Sequence, residues 1–569
     1  MPDAEQAIST ASSWNRRAQD VPALAILILL SLLLYFHCLG SLSFFDADEP
    51  AFAEAAREML LSGDWVTPHF NFQPRFDKPI LIYWLIALAY SVFGIGEFSA
   101  RFWSAAFGTG LVVSIYLFGR RVLGHRGALI AALAFATNVC TAILARAAVT
   151  DMILTFFVAW SLFGFFSAFH ASPQHRQRSR VVAYLAMALA VLTKGPIGLL
   201  IPLLVIGLFV IIRGKIGVSL SRLRPVTGLL LFAAVALPWY VLVLRANGWE
   251  FIDGFFVKHH LARYTGVISG HRGPFYYFLP VVAVGFFPWS GMLPKAFEGL
   301  WSARARLRGD LTLPEEFALF GWLWFGVVFV FFSFSGTKLP SYIFPGFPAL
   351  ALLAGAAGEA LLDGKRNAGK GGKSFDWVVG GLGCGLAVGL YLVPFIIGNI
   401  RLRMGPKIPL FDFGLAPYLL ATIFALGPSL AVWARRRGRG GLTLAALATT
   451  MVLAIQVAVH LVAPVIEEGL QRPLREFSEV ARQRLGPADL LVAYDLRAPS
   501  LVFYSRRRVM TVGRGDEVRV RALAASAGRL LIIAKATAET RLKEVPEIFP
   551  LDRRGGYVLY SNAPPTQLP

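Results

Sequence analysis

Residues 77–93, DKPILIYWLIALAYSVF, decide how the chain is threaded. The apolar part, Ile80–Phe93, runs for about 14 residues, whereas a helix needs roughly 20 to cross a bilayer core. Counted as a crossing, it sends most of the downstream arginine-rich loops to the side opposite Arg16 and Arg17. Counted as a segment that dips in and returns, it places those loops on the same side as the N-terminus. They are Arg120/Arg121/Arg126, Arg176/Arg178/Arg180, Arg213/Lys215/Arg222/Arg224, Arg304/Arg306/Arg308, Lys365/Arg366/Lys370/Lys373 and Arg435/Arg436/Arg437/Arg439. Basic loops gather on the cytoplasmic face of membrane proteins, so the second reading is adopted.

Composition agrees with a polytopic membrane protein. Of 569 residues, 56% are hydrophobic and only 16% charged, against roughly 45–50% apolar in soluble domains. About 13 stretches are long and apolar enough to be read as spans: 21–39, 102–119, 128–145, 152–169, 181–193, 196–212, 226–244, 275–293, 316–334, 343–361, 377–397, 415–433 and 441–460. The short 181–193 stretch ends at Lys194-Gly195-Pro196, where a broken helix is expected. The first stretch lacks a small-residue cleavage site and is read as a retained helix. The net charge of +21 sits in short loops beside spans, which argues against nucleic acid. Three cysteines without a CxxC exclude a disulfide framework or a thiolate zinc cluster built on that motif.

The opposite face carries chemical variety. Just before the deciding stretch, FFDADEPAFAEAAREML (44–60) places Asp46, Asp48 and Glu49 at a membrane edge, where ionised groups are costly. An acid followed by Pro50 suits a helix start. Phe52, Ala56, Met59 and Leu60 then follow at helical spacing, and Ser62-Gly63 ends the pattern. The expected element is an amphipathic helix lying on the membrane. Capping needs one acid, not three, so Asp48, with Glu49 beside it, is the candidate base or ligand. Lys78 can hold a lipid phosphate while its stem stays in hydrocarbon. Asp151, Lys194, the His259/His260/Arg263/Tyr264 segment, Lys338 and Tyr342 fall on the same side. Such a set suits an anionic, lipid-linked substrate.

After residue 463 the chain turns polar, and 464–569 is long enough for a small domain. DLLVAYD, SLVFYS, RLLIIAK and YVLYS read as strands; LREFSEVARQRL and ETRLKEV read as helices. The expected architecture is an all-α polytopic membrane domain (1–463, with 40–101 as first outer loop) followed by a small α/β domain (464–569) on the outer side.

The stretches DEPAFAEAAREMLLSGDW, DKPILIYW, TKGP and GTKLPSYIFPGFPAL resemble the bacterial membrane glycosyltransferases of the GT-C superfamily. Within it they are most similar to the lipid A aminoarabinose transferase family, related to protein O-mannosyltransferases. The resemblance covers residues 20–360 by motif. It implies that Asp48 is the first-loop catalytic aspartate and Asp151 a second outer acid. It implies that Lys78, Lys194, Arg263, Lys338 and Tyr342 meet the donor phosphate. Asp77 and His260 match positions that can hold a divalent metal (Zn, Mg or Mn). The family reads Asp-Glu-x-Arg-Tyr-Ala-Glu where this chain has Asp48-Glu49-Pro50-Ala51-Phe52-Ala53-Glu54.

The resemblance further implies an enzyme of the bacterial inner membrane with its site facing the periplasm. It would move a sugar, 4-amino-4-deoxy-L-arabinose in the nearest family, from undecaprenyl phosphate to lipid A by a single inverting displacement. The missing Arg-Tyr pair leaves open another hexose, pentose or uronic acid, and another glycan or protein hydroxyl as acceptor. A lipid flippase or transporter is the main alternative. Transporters commonly carry repeated halves with charges near the midplane; here no repeat is evident and the charges gather in outer loops. A membrane anchor for the 464–569 segment is the other rival, and so many spans exceed what anchoring requires.

Overall fold

The computed structural model of the chain describes residues 19–266, 273–362, 370–404, 411–526 and 528–564; the side chains of 260, 261, 263, 265, 370, 371 and 400–404 are outside that description. Among the described residues, nine helices are long and apolar enough to cross a membrane, or ten if the bent pair Gly124–Ala136 and Val139–Ala145, 61° apart, forms one span. The other three expected spans take different forms. The 181–193 stretch is the second half of the helix Pro173–Lys194, whose first half is polar, and 196–212 is the 17-residue helix Ile197–Arg213. The break between them falls where expected, at Gly195 with φ +75°. Beyond it, Gly198 meets the backbone of Ala190 so closely that a Cβ would lie 2.4 Å from the Ala190 carbonyl carbon. The chain therefore doubles back on itself there. The 275–293 stretch is interrupted, running as Phe278–Gly285, a turn at Trp289–Met292 and Leu293–Ala303.

The deciding segment forms the helix Leu81–Phe93, 13 residues long. At 1.5 Å per residue it spans about 20 Å, short of the roughly 30 Å core. Contacts between remote segments separate two ends of the bundle. At one end Arg120 bonds Asp20 at 2.7 Å, and Arg213 bonds Glu316 and the carbonyls of Leu307 and Gly309. At the other, Ala148 N–H donates to Glu49, Lys194 donates to Asp151, and Trp239 donates to the Val66 carbonyl. Among the described residues, the contacts of Arg120 and Arg213 and those of Glu49, Asp151 and Val66 thus form two separate groups.

The helix Asp48–Ser62 forms as the sequence indicates, with Pro50 in its first turn and Gly63 at φ +70° donating back to the Met59 carbonyl. It does not lie on a membrane surface with one face open. Every residue from Glu49 to Met59 is buried. Its apolar side packs on Leu81–Phe93, and its polar residues pair internally: Arg57 forks onto Glu54 at 2.6 and 2.7 Å. The polar side is covered by the C-terminal part of the chain, which hydropathy of the helix alone cannot reveal.

That C-terminal part holds a five-stranded sheet. In spatial order its strands are Val509–Val512, Leu490–Tyr494, Leu530–Lys535, Tyr557–Ser561 and Phe549–Arg554. The first three are parallel and the last two antiparallel to their neighbours. Leu490–Tyr494 alternates across the sheet: Val492 and Tyr494 join one apolar layer, Leu491 and Ala493 the other. Leu474, Phe477 and Ala481 of the helix Arg472–Arg484 close the second layer. SLVFYS is a helix (Pro499–Ser505), not the expected strand, while Val509–Val512 is the strand beside it. A short apolar run is ambiguous by periodicity, and Pro499 in the first turn favours the helix. The boundary expected at 464 lies inside a helical run that continues to Leu470.

Docking of this unit on the first outer loop is dense. Phe44 N–H donates to the Tyr504 hydroxyl, Tyr504 to Glu97, Ser43 to Glu467, and Asn71 exchanges two bonds with the Val509 backbone. Phe44 packs edge-on against Phe503 at 4.9 Å. Asp46 accepts from the backbone N–H and the hydroxyl of Ser500 at 2.9 and 2.5 Å. Burial pushes the Asp46 carboxyl up to about 6, aided by nearby Glu49 and opposed by the two Ser500 bonds. The folded chain therefore holds this proton above the pH at which an unfolded aspartate loses it. Stability should fall as pH rises from about 4 to about 6 and level off above. Asp46→Asn is expected to raise stability at pH 7.5 by about 1–2 kcal/mol, after discounting for partial exposure, and to flatten the slope between pH 4 and 6. Thermal unfolding at both ends of that window checks this; an unchanged slope in the variant would remove Asp46 as its source.

Candidate functional site

A cavity of about 440 Å³ opens among the outer ends of the helices. Asp77, Lys78, Asp151, Lys194, His259, Tyr264 and Tyr342 bring polar groups to it, and Leu154, Ile197, Leu200, Phe256, Phe331 and Phe332 give it apolar walls. A second, almost wholly apolar cavity of about 290 Å³ shares Pro196 and Phe256 with it. The two cavities are neighbours, one with polar groups in its lining and the other almost wholly apolar.

Each polar residue is placed by a break in regular structure. Asp77 and Lys78 leave the hairpin His69–Pro74 just before Pro79 starts the dipping helix. Asp151 lies in the first turn of Thr150–His170, after the irregular link 146–149, and Lys194 is the last residue before the Gly195 break. Lys194 Nζ donates to Asp151 Oδ1 at 2.8 Å and stands 5.4 Å from the centre of the Tyr342 ring. Lys78 Nζ donates to the Asp77 carbonyl at 3.0 Å and lies 3.9 Å from its carboxylate.

The two carboxylates differ in what holds them. Arg75 forks onto both Asp77 oxygens at 2.6 Å, and the Tyr83 hydroxyl adds a bond at 3.2 Å. Burial alone would raise Asp77; Arg75 and Lys78 overcome it and hold the carboxyl well below the usual carboxylate range. Asp151 is bonded through one oxygen only, and among the described residues Oδ2 has no partner. Asp151 is thus the cavity carboxylate with lone pairs to spare.

Seven of the residues singled out in the sequence meet here: Asp77, Lys78, Asp151, Lys194, His259, Tyr264 and Tyr342. Others do not. Asp48 is exposed in the first helical turn and does not line the cavity. Glu49 is buried in a bidentate pair with Arg101 at 2.8 and 2.9 Å, also accepts the Phe45 and Ala148 N–H groups, and does not line the cavity. Lys338 is buried and folds onto its own loop, donating to the Ser335 carbonyl at 2.7 Å; it does not line the cavity. The side chains of His260 and Arg263 lie outside the described residues. As a metal ligand Asp77 does not fit, because both oxygens are engaged by Arg75, and no step below is routed through a metal. Arg75 and Arg101 were missed in the sequence. Arg75 had a signal, its i,i+2 spacing from Asp77; Arg101, beside a predicted span, had none beyond its charge.

A family profile described as dolichyl-phosphate-mannose-protein mannosyltransferase matches residues 77–241, the segment from Asp77 through Lys194. The structure superposes on a crystal structure of ArnT from Cupriavidus metallidurans bound to undecaprenyl phosphate with a TM-score of 0.79 and 26% identity, over 95% of this chain and 98% of that one. The chain resembles the GT-C membrane glycosyltransferases. The undecaprenyl phosphate-alpha-4-amino-4-deoxy-L-arabinose arabinosyl transferase 2 of Proteus mirabilis (strain HI4320) is 32% identical over 346 residues, 60% of each chain. The protein of the same name from Pseudomonas fluorescens (strain Pf0-1) is 35% identical over 59% of each. The match therefore spans about three fifths of the length of these relatives. An archaeal oligosaccharyltransferase, AglB from Archaeoglobus fulgidus, shares the fold at 14% identity and a TM-score of 0.52.

Proposed function

We propose that the chain is a glycosyltransferase of the bacterial inner membrane that takes a sugar from undecaprenyl phosphate in a cavity facing the periplasm. It crosses with about 13 segments when the broken helices are counted. The observation that carries the reading is the pairing of two lysines and two aspartates in a cavity with apolar walls, next to a second cavity that is almost wholly apolar. A polyprenyl phosphate needs such a space: an oily channel for the chain and cations for the phosphate. The ArnT structure that superposes on this one holds undecaprenyl phosphate, and the named relatives transfer 4-amino-4-deoxy-L-arabinose. That sugar and a lipid A acceptor are the preferred substrates here, with another periplasmic glycan or protein hydroxyl as the second choice.

In the proposed reaction the bond between the anomeric carbon and the phosphate oxygen breaks, and the leaving group departs as a phosphate. It needs charge stabilisation more than a proton, and a water-poor site strengthens what Lys78 and Lys194 provide. When Lys194 turns to the phosphate, Asp151 is released to accept the proton of an acceptor hydroxyl. If the acceptor is itself a phosphate, Asp151 orients it instead. Among the described residues that line the cavity no second carboxylate is free to form a glycosyl intermediate, which favours one inverting displacement.

Lys78→Ala is expected to weaken undecaprenyl phosphate binding about 10–100-fold, the loss of a charge-assisted bond in a desolvated site. Titration of the purified protein with the lipid checks it, and an unchanged affinity would exclude Lys78 from the phosphate site. Mass spectrometry of lipid A and surface glycans from a deletion strain tests the function itself. Loss of one sugar from one glycan class is expected; identical glycans in the two strains would count against the reading.

A further inference from the structure

We propose that His37, Cys38 and His460 form a binding site for a thiophilic divalent metal ion of the zinc class. The site is separate from the cavity. His37 and Cys38 follow the first span, Gln19–Phe36, and His460 lies in the last, Gly440–Leu470. A ligand atom from each of the three lies within 4.8 Å of the others. Cys38 Sγ is 3.5 Å from His37 Nε2, and the two imidazole rings are 5.1 Å apart, tilted by 58°. Zinc bonds of about 2.0–2.1 Å to nitrogen and 2.3 Å to sulfur put tetrahedral ligand atoms about 3.3–3.5 Å apart. The cysteine–histidine pair already meets that spacing, and rotation of the His460 ring closes the rest.

The backbone at both ends is shaped for this meeting. The first span ends in the π-helical turn Leu32–Phe36, and His460 sits within another, Ala458–Val462. Such turns are rare and recur at functional sites because they re-aim side chains. Cys38 is held at φ +54°, a left-handed conformation that costs a residue with a Cβ about 1–2 kcal/mol. Arg146 fixes the strained turn by donating to the carbonyls of Leu34, Tyr35, His37 and Cys38 at 2.8–3.3 Å. This arginine contributes nothing to the lining of the cavity.

Two imidazoles and a thiolate make a soft N/S donor set that selects zinc, cobalt or copper over magnesium or calcium. Three protein ligands leave one position for water. Binding deprotonates the Cys38 thiol, and its proton leaves to solvent, so affinity rises with pH. The bound ion would tie the first span to the last beside the irregular link 146–149.

Cobalt(II) is the probe, because a thiolate ligand gives it a charge-transfer band that oxygen and nitrogen ligands do not. Purified full-length protein in detergent, with thiols reduced and metal removed, is titrated with cobalt chloride. One ion per chain with a sulfur charge-transfer band is expected, displaced by zinc. Cys38→Ser should abolish the band, and His37→Ala and His460→Ala should each weaken binding about 10-fold or more. Replacing Cys140 and Cys384 together should leave it intact, and all variants should retain the elution profile of the parent. Absence of the band, its survival in Cys38→Ser, or full affinity without His460 would overturn the proposal.

Discussion

Asp151→Asn is expected to lower sugar transfer about 10²–10⁴-fold, the usual worth of a positioned general base, while donor affinity changes only a few-fold. The substitution keeps the shape of the side chain and leaves a carbonyl oxygen for Lys194, so the phosphate site persists. What it removes is the cavity carboxylate with an unbonded oxygen. Asp77 cannot stand in, because Arg75 engages both of its oxygens. Single-turnover transfer with saturating donor separates the loss of chemistry from a loss of binding. Near-normal turnover in Asp151→Asn, with an inactive Asp48→Asn, would return the base role to the exposed acid that the sequence favours.

The second large effect concerns stability. Arg101→Ala is expected to destabilise the outer end of the bundle by about 3–5 kcal/mol, the cost of removing one partner from a buried ion pair. Arg101 and Glu49 are 4% and 5% exposed. Burial would raise Glu49, yet Arg101 and the Phe45 and Ala148 N–H groups hold its carboxyl below the usual range. Without the guanidinium that charge is stranded. The carbonyls of Leu39, Leu42 and Ser43, each bonded to Arg101 at 2.8–3.1 Å, lose their donor as well. Glu49→Gln should cost less, since an amide oxygen still accepts from the backbone and the Arg101 guanidinium left behind keeps its bonds to the Leu39, Leu42 and Ser43 carbonyls. Thermal unfolding of the two variants in detergent measures this; equal midpoints for Arg101→Ala and the parent would show that the pair contributes nothing net.

Most of the long apolar helices were legible in the sequence because they rest on length and hydropathy, both local properties. Ile80–Phe93 is too short to cross, and the arginines on the loops record which ends lie together. Half of the cavity was legible for a related reason: Lys78, Asp151 and Lys194 sit next to prolines, glycines or span ends, where polar side chains have no ordinary core role. What failed depends on long-range contact. Glu49 looks like a second catalytic acid until Arg101, 52 residues on, is seen to hold it. The helix Asp48–Ser62 has the periodicity of a surface helix, and it is buried because Leu81–Phe93 on one side is joined by Phe503 and Tyr504 of the distant C-terminal unit. Lys338 lies in a loop that looks reactive but turns its ammonium back on itself. SLVFYS was misread because six apolar and small residues carry no period that separates strand from helix.

The central claim is that the Lys78–Lys194 cavity hands a sugar from a polyprenyl phosphate to an acceptor. Its most direct test is transfer from a radiolabelled undecaprenyl phosphate-linked sugar in proteoliposomes containing the purified chain and lipid A. Label is expected to move to the acceptor with the parent protein and to remain on the donor with Lys78→Ala. Label that stays on the donor with the parent, or donor lipid that merely changes leaflet, would contradict it.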